Sequence, residues 1–460
     1  MCENEDDIIT VGKYVIIKKL NFKKIYKVTM NGTLMLGKDA VQMHEIIGKP
    51  FWTTFEMVQV KGGKRTYSLK EVVETESLND LLSELPSGSD NRSIIDDGTS
   101  QKLSKEQILQ LQESGKSGKE IVGSLIENNK SFLERTEYSQ EKYLKKKEQK
   151  YLRYITIWKP SINLLHDIYF KLDHNKIGNL RMDSLAQLLS YSDVQSDGLY
   201  ILYDSGSHGL PAAAMLNRIG SNTKGHLINL HAGNEPQVAL INAMNFPKEQ
   251  SDRLLNVNIY GFLRLYYQEK NLDDNELNDK IKHSIGEKEK NLDNNESNDK
   301  TNHSTDMKEA NSGIVNELNE DVKHSTNGSL KRKRNESDKC KSAQLTPVKK
   351  PKWLPKTQEA VDLVNGSKAR GLAIIAREHP LNIVIALLPF LGPSRPFVIY
   401  HVHREPLLET YMTLKQKQNV INLNLFSNFL RSYQVLPDRT HPDILTSDTG
   451  GYLLSGYLVQ

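Results

Sequence analysis

Residues 199–216 read LYILYDSGSHGLPAAAML, and no other stretch constrains the fold of the chain as strongly. LYILY is an apolar run that predicts a buried strand, and PAAAMLNRI predicts a helix that begins after a glycine-containing turn. HLINL, which begins at His226, predicts a second buried strand. A strand–helix–strand repeat is typical of an open, mostly parallel sheet covered by helices.

The same alternation runs from Thr156 to Tyr267 and resumes after Trp353 with GLAIIA, NIVIALLPFL and RPFVIYHV. YLLSGYLVQ predicts a closing strand, and Asp183 is placed to cap the helix that carries LAQLL. We therefore assign residues 156–267 and 353–460 to one α/β domain of the Rossmann-like type.

The segment between the two halves of this domain is strongly polar. Residues 268–352 contain 16 apolar residues in 85, none of them aromatic, so they cannot bury enough surface to offset the entropy of ordering. The string EKNLDDNELNDKIKHS at Glu269 recurs in degenerate form at Glu289, but two polar copies without a core do not make a solenoid. We predict that residues 268–352 are a disordered insertion.

The N-terminal part has a different pattern. VGKYVIIKKL, KIYKVTM, GTLMLG and TTFEMVQV predict short strands, and Asn31-Gly32 is a hairpin signal. Residues 1–90 are thus expected to form a small β-barrel-like domain or antiparallel sheet. Residues 91–155, with apolar residues three and four apart, are expected to form a helical connector. The fold class is α+β in the N-terminal part and α/β in the C-terminal part.

One predicted helix carries a run of cations. Glu141–Lys150 reads EKYLKKKEQK, with five lysines and two glutamates. Helical spacing places Lys142, Lys145, Lys146 and Arg153 on one side, and Leu144 and Tyr151 on the other. Such a run is most often a solvated face; the alternative is a contact with nucleic acid, aided by stacking on Tyr143 and Tyr154.

Further basic residues lie outside this helix. KRKR at Lys331–Arg334 and VKKPK at Val348–Lys352 have the form of a bipartite nuclear import signal, or of a solvated linker. Arginines 377, 395, 404 and 439 fall in predicted loops of the last domain.

The composition argues against several other classes of protein. Cys2 and Cys340 provide no disulfide framework, the N-terminus has no secretory pattern, and no run reaches the length of a membrane span. His401 and His403 have no third ligand nearby in sequence, so no metal site is expected. No phosphate-binding loop or serine nucleophile elbow is present.

The stretch DSGSHGL can be compared with the cofactor turn of class I methyltransferases, in which Asp/Glu-x-Gly-x-Gly-x-Gly follows the first strand. Asp204 and Gly206 match this pattern, whereas His208 and Leu210 stand at the second and third glycines. The second strand ends in NLHAG, with Leu230 and His231 where an acid would bind the ribose of S-adenosylmethionine. The turn is degraded, and we expect no cofactor and no catalytic residue in this chain.

Six strings that occur in the order of one known family carry a resemblance: IGKPFWTTFEMV, DNRSIIDDGTSQKLS, TEYSQEKYLKKKEQKY, LRMDSLAQLLS, LGPSRPFVIYHVHREPLLETY and SYQVLPDRTHPDIL. In these strings the chain resembles the non-catalytic subunit of the eukaryotic tRNA (adenine-58-N1)-methyltransferase. The resemblance implies a β-barrel-like N-terminal domain, a helical connector and a methyltransferase-like Rossmann domain. It also implies a catalytic sibling that binds S-adenosylmethionine, a heterotetramer of two plus two subunits, and tRNA as the bound nucleic acid. From the two basic clusters we expect a nuclear location, and from the lack of a long apolar run we expect no membrane attachment.

The resemblance also implies tRNA-binding residues, carried over onto matching strings: Asn91, Arg92, Gly98, Ser100, Lys145, Lys146, Lys147, Lys150, Lys176, Asn179, Arg181, Arg377, Arg404, Arg439 and His441. Two alternatives remain open at this point. One is an active S-adenosylmethionine-dependent methyltransferase with a divergent cofactor turn, and the other is an RNA-binding scaffold that acts in translation.

Overall fold

Two seven-stranded sheets and a set of helices organise the chain in the computed structural model. The structure describes residues 7–60, 65–73, 86, 88, 100–113, 117–268, 351, 353–435, 440–443 and 450–459. Nearly all of the predicted insertion at 268–352 lies outside these ranges. The account below concerns the unit formed by residues 1–265 and 355–460.

The first sheet has the strand order β2-β1-β7-β5-β6-β4-β3. Side chains alternate between its faces, so Phe55 and Met57 of one strand both point into a buried core that also holds Val15, Ile17 and Ile155. The strands are β1 Tyr14–Lys19, β2 Phe22–Lys27, β3 Thr33–Leu36, β4 Asp39–Gln42, β5 Thr54–Gln59, β6 Thr66–Val72 and β7 Tyr154–Trp158.

Three features of this sheet differ from the sequence-based expectations. The turn at Asn31-Gly32 joins β2 to β3, which lie at opposite ends of the strand order. Hairpins instead join β1 to β2 at residues 20–21, β3 to β4 at residues 37–38, and β5 to β6. Because the edge strands β2 and β3 do not pair in the described residues, the hydrogen bonds form an open sheet rather than a closed barrel. The pairing of β4 with β6 is parallel, so the sheet is not purely antiparallel.

A fourth difference concerns a domain boundary. Strand β7 pairs with β1 and β5 in the middle of the first sheet. The boundary predicted at residue 156 therefore falls inside a strand of the N-terminal sheet. Its isoleucines, Ile155 and Ile157, are fully buried in that sheet's core, which is the physical reason for the placement.

In the described part of the connection between β6 and β7 lie the helices α1 Lys105–Glu113, α2 Gly118–Glu127 and α3 Glu137–Tyr151. Helix α2 begins with a capping box, in which Ser117 accepts from the Glu120 N–H and Glu120 accepts from the Ser117 N–H. A separate small core forms where Leu125, Phe132 and Leu144 meet.

The second sheet has the order β10-β9-β8-β11-β12-β16-β13, and its first five strands are parallel. Strand β16 is antiparallel to both neighbours. The strands are β8 Leu199–Asp204, β9 His226–His231, β10 Leu254–Asn258, β11 Gly371–Ile375, β12 Pro396–His401, β13 Val420–Phe426 and β16 Tyr452–Leu458; a separate pair is β14 Tyr433–Gln434 with β15 His441–Pro442. This arrangement confirms the predicted α/β domain.

Helices connect and cover these strands. They are α4 Ile162–Asp173, α5 Met182–Tyr191, α6 Leu210–Ile219, α7 Ala239–Ala243, α8 Lys248–Asp252, α9 at residues 259–268, α10 Leu354–Gly366, α11 Leu381–Leu387 and α12 Arg404–Lys417. Asp183, predicted as the cap of α5, is instead the second residue of that helix, and Arg181 occupies the cap position without a side-chain capping bond. Among the helices described, none is long and apolar enough to span a membrane.

The topology fixes where a ligand site would lie. From β8 the chain proceeds outward to β9 and β10, and it later returns to place β11 and β12 on the other side of β8. Open parallel sheets bind ligands beyond the carboxyl ends of the strands at such a reversal. The turn that follows Asp204 lies at this point.

Candidate functional site

Asp204 ends β8, and its carboxylate is bonded to its own turn. Oδ1 accepts from the backbone N–H groups of Gly206 (3.0 Å) and Ser207 (2.9 Å), and Oδ2 accepts from the Ser207 hydroxyl (2.5 Å). Asp204 is buried. The acid that matches the methyltransferase pattern therefore stabilises the turn itself.

The two departures from the glycine pattern have different structural consequences. His208 adopts φ +55°, a left-handed conformation that glycine adopts at little cost, and its ring lies 5.7 Å from that of Tyr169. Its backbone N–H donates to Gln237 Oε1 at 3.0 Å. Leu210 begins α6 and is fully buried in the core of the second sheet, so its side chain is part of the packing.

Arg377 covers the remaining glycine. Its Nη2 donates to the backbone carbonyls of Gly206 (2.5 Å) and Asn175 (2.7 Å), while its backbone N–H donates to Ser205 Oγ. A Cβ atom added to Gly206 would lie 2.8 Å from Arg377 Nε. The space next to the glycine, where a cofactor would approach the backbone, is filled by a guanidinium group.

The end of β9 also lacks a ligand-binding acid. His231 is buried there, and its Nδ1 lies 2.8 Å from the Gly233 carbonyl oxygen. Burial lowers the pKa of His231, which keeps the imidazole neutral at physiological pH. A neutral imidazole tied to its own loop does not reproduce the pair of hydrogen bonds that a carboxylate gives to ribose hydroxyls.

Charges of both signs surround the turn. Burial lowers the pKa of His208, and the nearby charges of Lys176 and Arg377 lower it further. One acid of this edge, Glu378, accepts from the Tyr203 hydroxyl. Burial would raise the pKa of Glu378, but the hydrogen bonds from Tyr203, Ser205 and backbone N–H groups together outweigh burial and lower that pKa.

The residues at this turn do not fit S-adenosylmethionine. Asp204 is bonded to its own loop, His208 and Leu210 replace glycines, and Arg377 covers Gly206. The residues that fill the turn from other elements, Tyr169 and Gln237, carried no sequence signal because only the fold brings them together.

Among the described residues there is no cluster of histidine, cysteine and carboxylate side chains able to hold a metal ion. The ring of His401 bonds to the backbone of His403 through Nδ1, two residues away in the chain.

The predicted basic helix exists as α3, and its apolar side is buried as expected. Leu144 and Tyr151 pack into the connector core. Lys142, Lys145, Lys146 and Lys150 are exposed, and Lys145 pairs with Glu141 at 2.7 Å. This leaves a cationic surface that we call the lysine ridge, defined as Lys142, Lys145, Lys146 and Lys150.

Three residues associated with this helix do not belong to the ridge. Lys147 is half-buried with Nζ 5.0 Å from the Tyr143 ring centroid, and burial first, then Lys150 and Lys146, lowers its pKa. Tyr143 packs edge-on against Phe132, so it is part of the core and not a stacking platform. Arg153 lies beyond the end of α3, where its guanidinium bonds to the Tyr67 hydroxyl and covers that ring at 4.8 Å.

The string NKIGNLRM divides between surface and core. Lys176 is exposed near His208, and Asn179 takes φ +54° and bonds to the His174 ring. Arg181, predicted to bind tRNA, is 5% exposed. Its guanidinium donates to both oxygens of Asp183 at 2.6 and 2.8 Å, so it is committed to a buried ion pair rather than offered to solvent.

The other predicted contacts are scattered. Arg404 is exposed at the first residue of α12, beyond the carboxyl end of β12, and His441 is exposed in β15. Ser100 is half-buried, and its carbonyl accepts from the Lys130 N–H. Asn91, Arg92, Gly98 and Arg439 lie outside the described residues.

The fold and the site together define a methyltransferase-like Rossmann protein whose cofactor turn is closed by its own side chains. Residues 8–311 match the profile of the Gcd10p family. The chain belongs to the Gcd10p family.

Curated relatives match over nearly the whole chain. The tRNA (adenine(58)-N(1))-methyltransferase non-catalytic subunit TRM6 of Mus musculus is 34% identical, over 99% of this chain and 89% of that protein. The protein of the same name from Dictyostelium discoideum is 28% identical, over 98% of this chain and 79% of that protein. Among solved structures, a SAM-dependent O-methyltransferase from Thermotoga maritima aligns with a TM-score of 0.46 and 9% identity, covering 100% of this chain and 98% of that chain.

Proposed function

We propose that this chain is the non-catalytic subunit of a tRNA (adenine-58-N1)-methyltransferase. Two relatives that carry this name align with the chain over 89% and 79% of their own length. In this role the chain pairs with a catalytic sibling, holds no S-adenosylmethionine of its own, and contributes tRNA-binding surface to the assembly. A two-plus-two assembly belongs to the same proposal. So does a nuclear location, which the paired basic clusters at 331–334 and 348–352 support.

The observation that carries the proposal is the contact of Arg377 with the Gly206 turn. The guanidinium stands where the backbone must be approached closely, and Asp204 is engaged in its own loop. The domain keeps the methyltransferase-like architecture while its cofactor turn is closed. Such a domain supports a reaction that another subunit performs.

The lysine ridge supplies the chemistry for RNA contact. Cations on an exposed helix bind the phosphate backbone and release counterions, which makes the affinity strongly dependent on salt. The adenine of a folded tRNA must leave its stack before N1 can react, at a cost of a few kcal/mol. Many backbone contacts spread over two subunits can offset that cost.

The test is co-expression of the chain with its candidate catalytic sibling, followed by methyl transfer to unmodified tRNA. We expect transfer only when both chains are present, and no binding of S-adenosylmethionine by this chain alone. A variant with the ridge residues Lys145, Lys146 and Lys150 changed to Glu should keep the sibling but lose tRNA affinity and methylation. Methyl transfer by the purified chain alone would contradict the proposal.

A further inference from the structure

The motif GKPFWTTF places an exposed tryptophan at an unusual backbone position. Trp52 adopts φ +74°, a region that bulky residues occupy only with strain. Nevertheless its side chain is 57% exposed. Strain of this kind persists where the surrounding structure holds it in place, and it concentrates at functional positions.

The backbone around Trp52 is held from both sides. Its N–H donates to the Ile157 carbonyl in β7 at 2.6 Å, and the preceding Phe51 N–H donates to the Asp7 carbonyl at 3.0 Å. The Thr53 hydroxyl donates to the Pro50 carbonyl at 2.8 Å. These bonds hold in place the backbone from which the indole projects.

A second aromatic ring and several cations lie beside it. The rings of Trp52 and Trp158 are 5.4 Å apart, and Lys18 Nζ lies 4.5 Å from the Trp158 centroid. Lys23 lies 5.7 Å from the same ring. We call this set the tryptophan platform, defined as Trp52, Trp158, Lys18 and Lys23.

The charge next to the platform favours an anionic partner. Lys23 and Lys171 share one acid, Asp167, at 2.7 and 2.8 Å. Lys159, which follows Trp158, pairs with Asp7 at 2.7 Å. Counting Lys18, four lysines face two aspartates, which leaves an excess of two positive charges.

We infer that the tryptophan platform binds an unpaired base of an RNA strand by stacking on Trp52, with the adjacent lysines on its phosphates. Exposed aromatic rings bordered by cations bind single-stranded nucleic acid in this way, with little preference for sequence. The inference rests on the proposed RNA-binding function but assigns a contact to the N-terminal sheet, distinct from the lysine ridge.

The first test separates a stacking ring from a structural one. Asn tolerates a positive φ, so Trp52→Asn removes the ring while keeping the turn, whereas Trp52→Phe keeps an aromatic face. With the full chain bound to its candidate sibling, we expect Trp52→Asn to weaken tRNA binding about 5- to 100-fold and Trp52→Phe to restore most of the affinity. Val73→Asn, at a residue 98% exposed near the end of β6, is the matched control and should leave the affinity unchanged.

The second test uses the chain alone. It contains three tryptophans, so Trp353→Phe leaves Trp52 and Trp158 as the reporters. Single-stranded oligoadenylate should quench their fluorescence, and Trp52→Asn should abolish the quenching. Absence of quenching in the parent, or equal tRNA affinity of Trp52→Asn and the parent, would overturn the inference.

Two further outcomes separate this inference from its alternatives. Loss of the sibling subunit on purification of Trp52→Asn would identify the platform as a protein contact and overturn the RNA assignment. The proposed function is measured by methyl transfer, and the platform by the affinity difference between Trp52→Asn and Trp52→Phe. A complex without methyl transfer that still shows this difference would refute the proposed function and support the platform.

Discussion

The guanidinium of Arg377 lies on Gly206, and its Nη2 donates to the Gly206 carbonyl at 2.5 Å. Gly206 is the one turn glycine that still matches the cofactor pattern, and its open face is covered from β11's end of the sheet. The turn therefore departs from the cofactor pattern in more than the two substitutions at His208 and Leu210. A side chain from a distant part of the sequence stands in the space that the glycine leaves.

Removing this side chain is not expected to recover cofactor binding. In Arg377→Ala the guanidinium is lost, but His208, Leu210 and the internal bonds of Asp204 remain. Isothermal calorimetry with S-adenosylmethionine should show no binding by the wild-type chain or by Arg377→Ala, with the catalytic sibling as positive control. Micromolar binding by either would refute this interpretation of the turn.

Restoring the third glycine is expected to damage the fold. Leu210 is fully buried at the start of α6, so Leu210→Gly loses core packing and adds helix-destabilising glycine. The free energy of unfolding should fall by about 3–5 kcal/mol. Leu172→Gly, at a helical residue that is 72% exposed, should cost only about 1 kcal/mol in the same urea titration. Equal losses in the two variants would show that Leu210 is not a core residue.

The ion pair between Arg181 and Asp183 makes a prediction about pH. Burial would raise the pKa of Asp183, but the hydrogen bond and charge of Arg181, together with two backbone N–H groups, outweigh burial and hold the pKa below the usual value. The stabilisation is therefore present above the unfolded-state pKa of about 3.9 and is lost as the pH falls through the lower folded-state pKa.

Asp183→Asn should lower the unfolding free energy by about 3 kcal/mol at pH 7, because it leaves the Arg181 cation buried without its partner. The difference in unfolding free energy between the two proteins should begin to narrow below about pH 4, where the unfolded-state carboxyl takes up a proton. It should close only as the pH falls through the lower folded-state pKa of Asp183. The exposed Asp252→Asn serves as control and should change stability by less than about 0.5 kcal/mol. A difference in unfolding free energy between wild type and Asp183→Asn that does not change with pH would argue against the ion pair.

Lys146 and Arg153 should respond differently to substitution although both were expected on one cationic face. Lys146 is exposed on the ridge, so Lys146→Glu should weaken tRNA binding by the complex and reduce the slope of log affinity against log salt by about 1. Arg153 is bound to Tyr67, so Arg153→Ala should lower stability and leave the salt slope unchanged. A reduced slope for Arg153→Ala would place that side chain at the RNA after all.

The elements with strong periodic patterns were predictable from the sequence, whereas their partners were not. LYILYD and PAAAMLNRI form β8 and α6 as expected, since a fully apolar run can only be buried. The substitutions at His208 and Leu210 were visible in the same string. The partners of the turn, Gln237 and Tyr169 at His208 and Arg377 at Gly206, come from other elements and are brought in by the topology.

Predictions from local sequence spacing were wrong where the chain leaves a helix or makes contacts over long sequence distances. Arg153 fits the helical wheel of α3, but the helix ends at Tyr151 and the arginine turns toward the first sheet. Arg181 resembles a surface cation in sequence, but it is buried and also donates to the Asn428 carbonyl, a partner that only the fold brings near. Strand β7 follows a helix, so nothing local to it indicates pairing with β1.

The central position of β7 has a consequence for how the polypeptide is made. Strands β1 and β5 lie on either side of it, so the two parts of the N-terminal sheet have no shared hydrogen-bonded neighbour until Trp158 has been synthesised. A nascent chain that has emerged from the ribosome only as far as the connector would carry Ile17 and Phe55 without the Ile155 and Ile157 side chains that seal them.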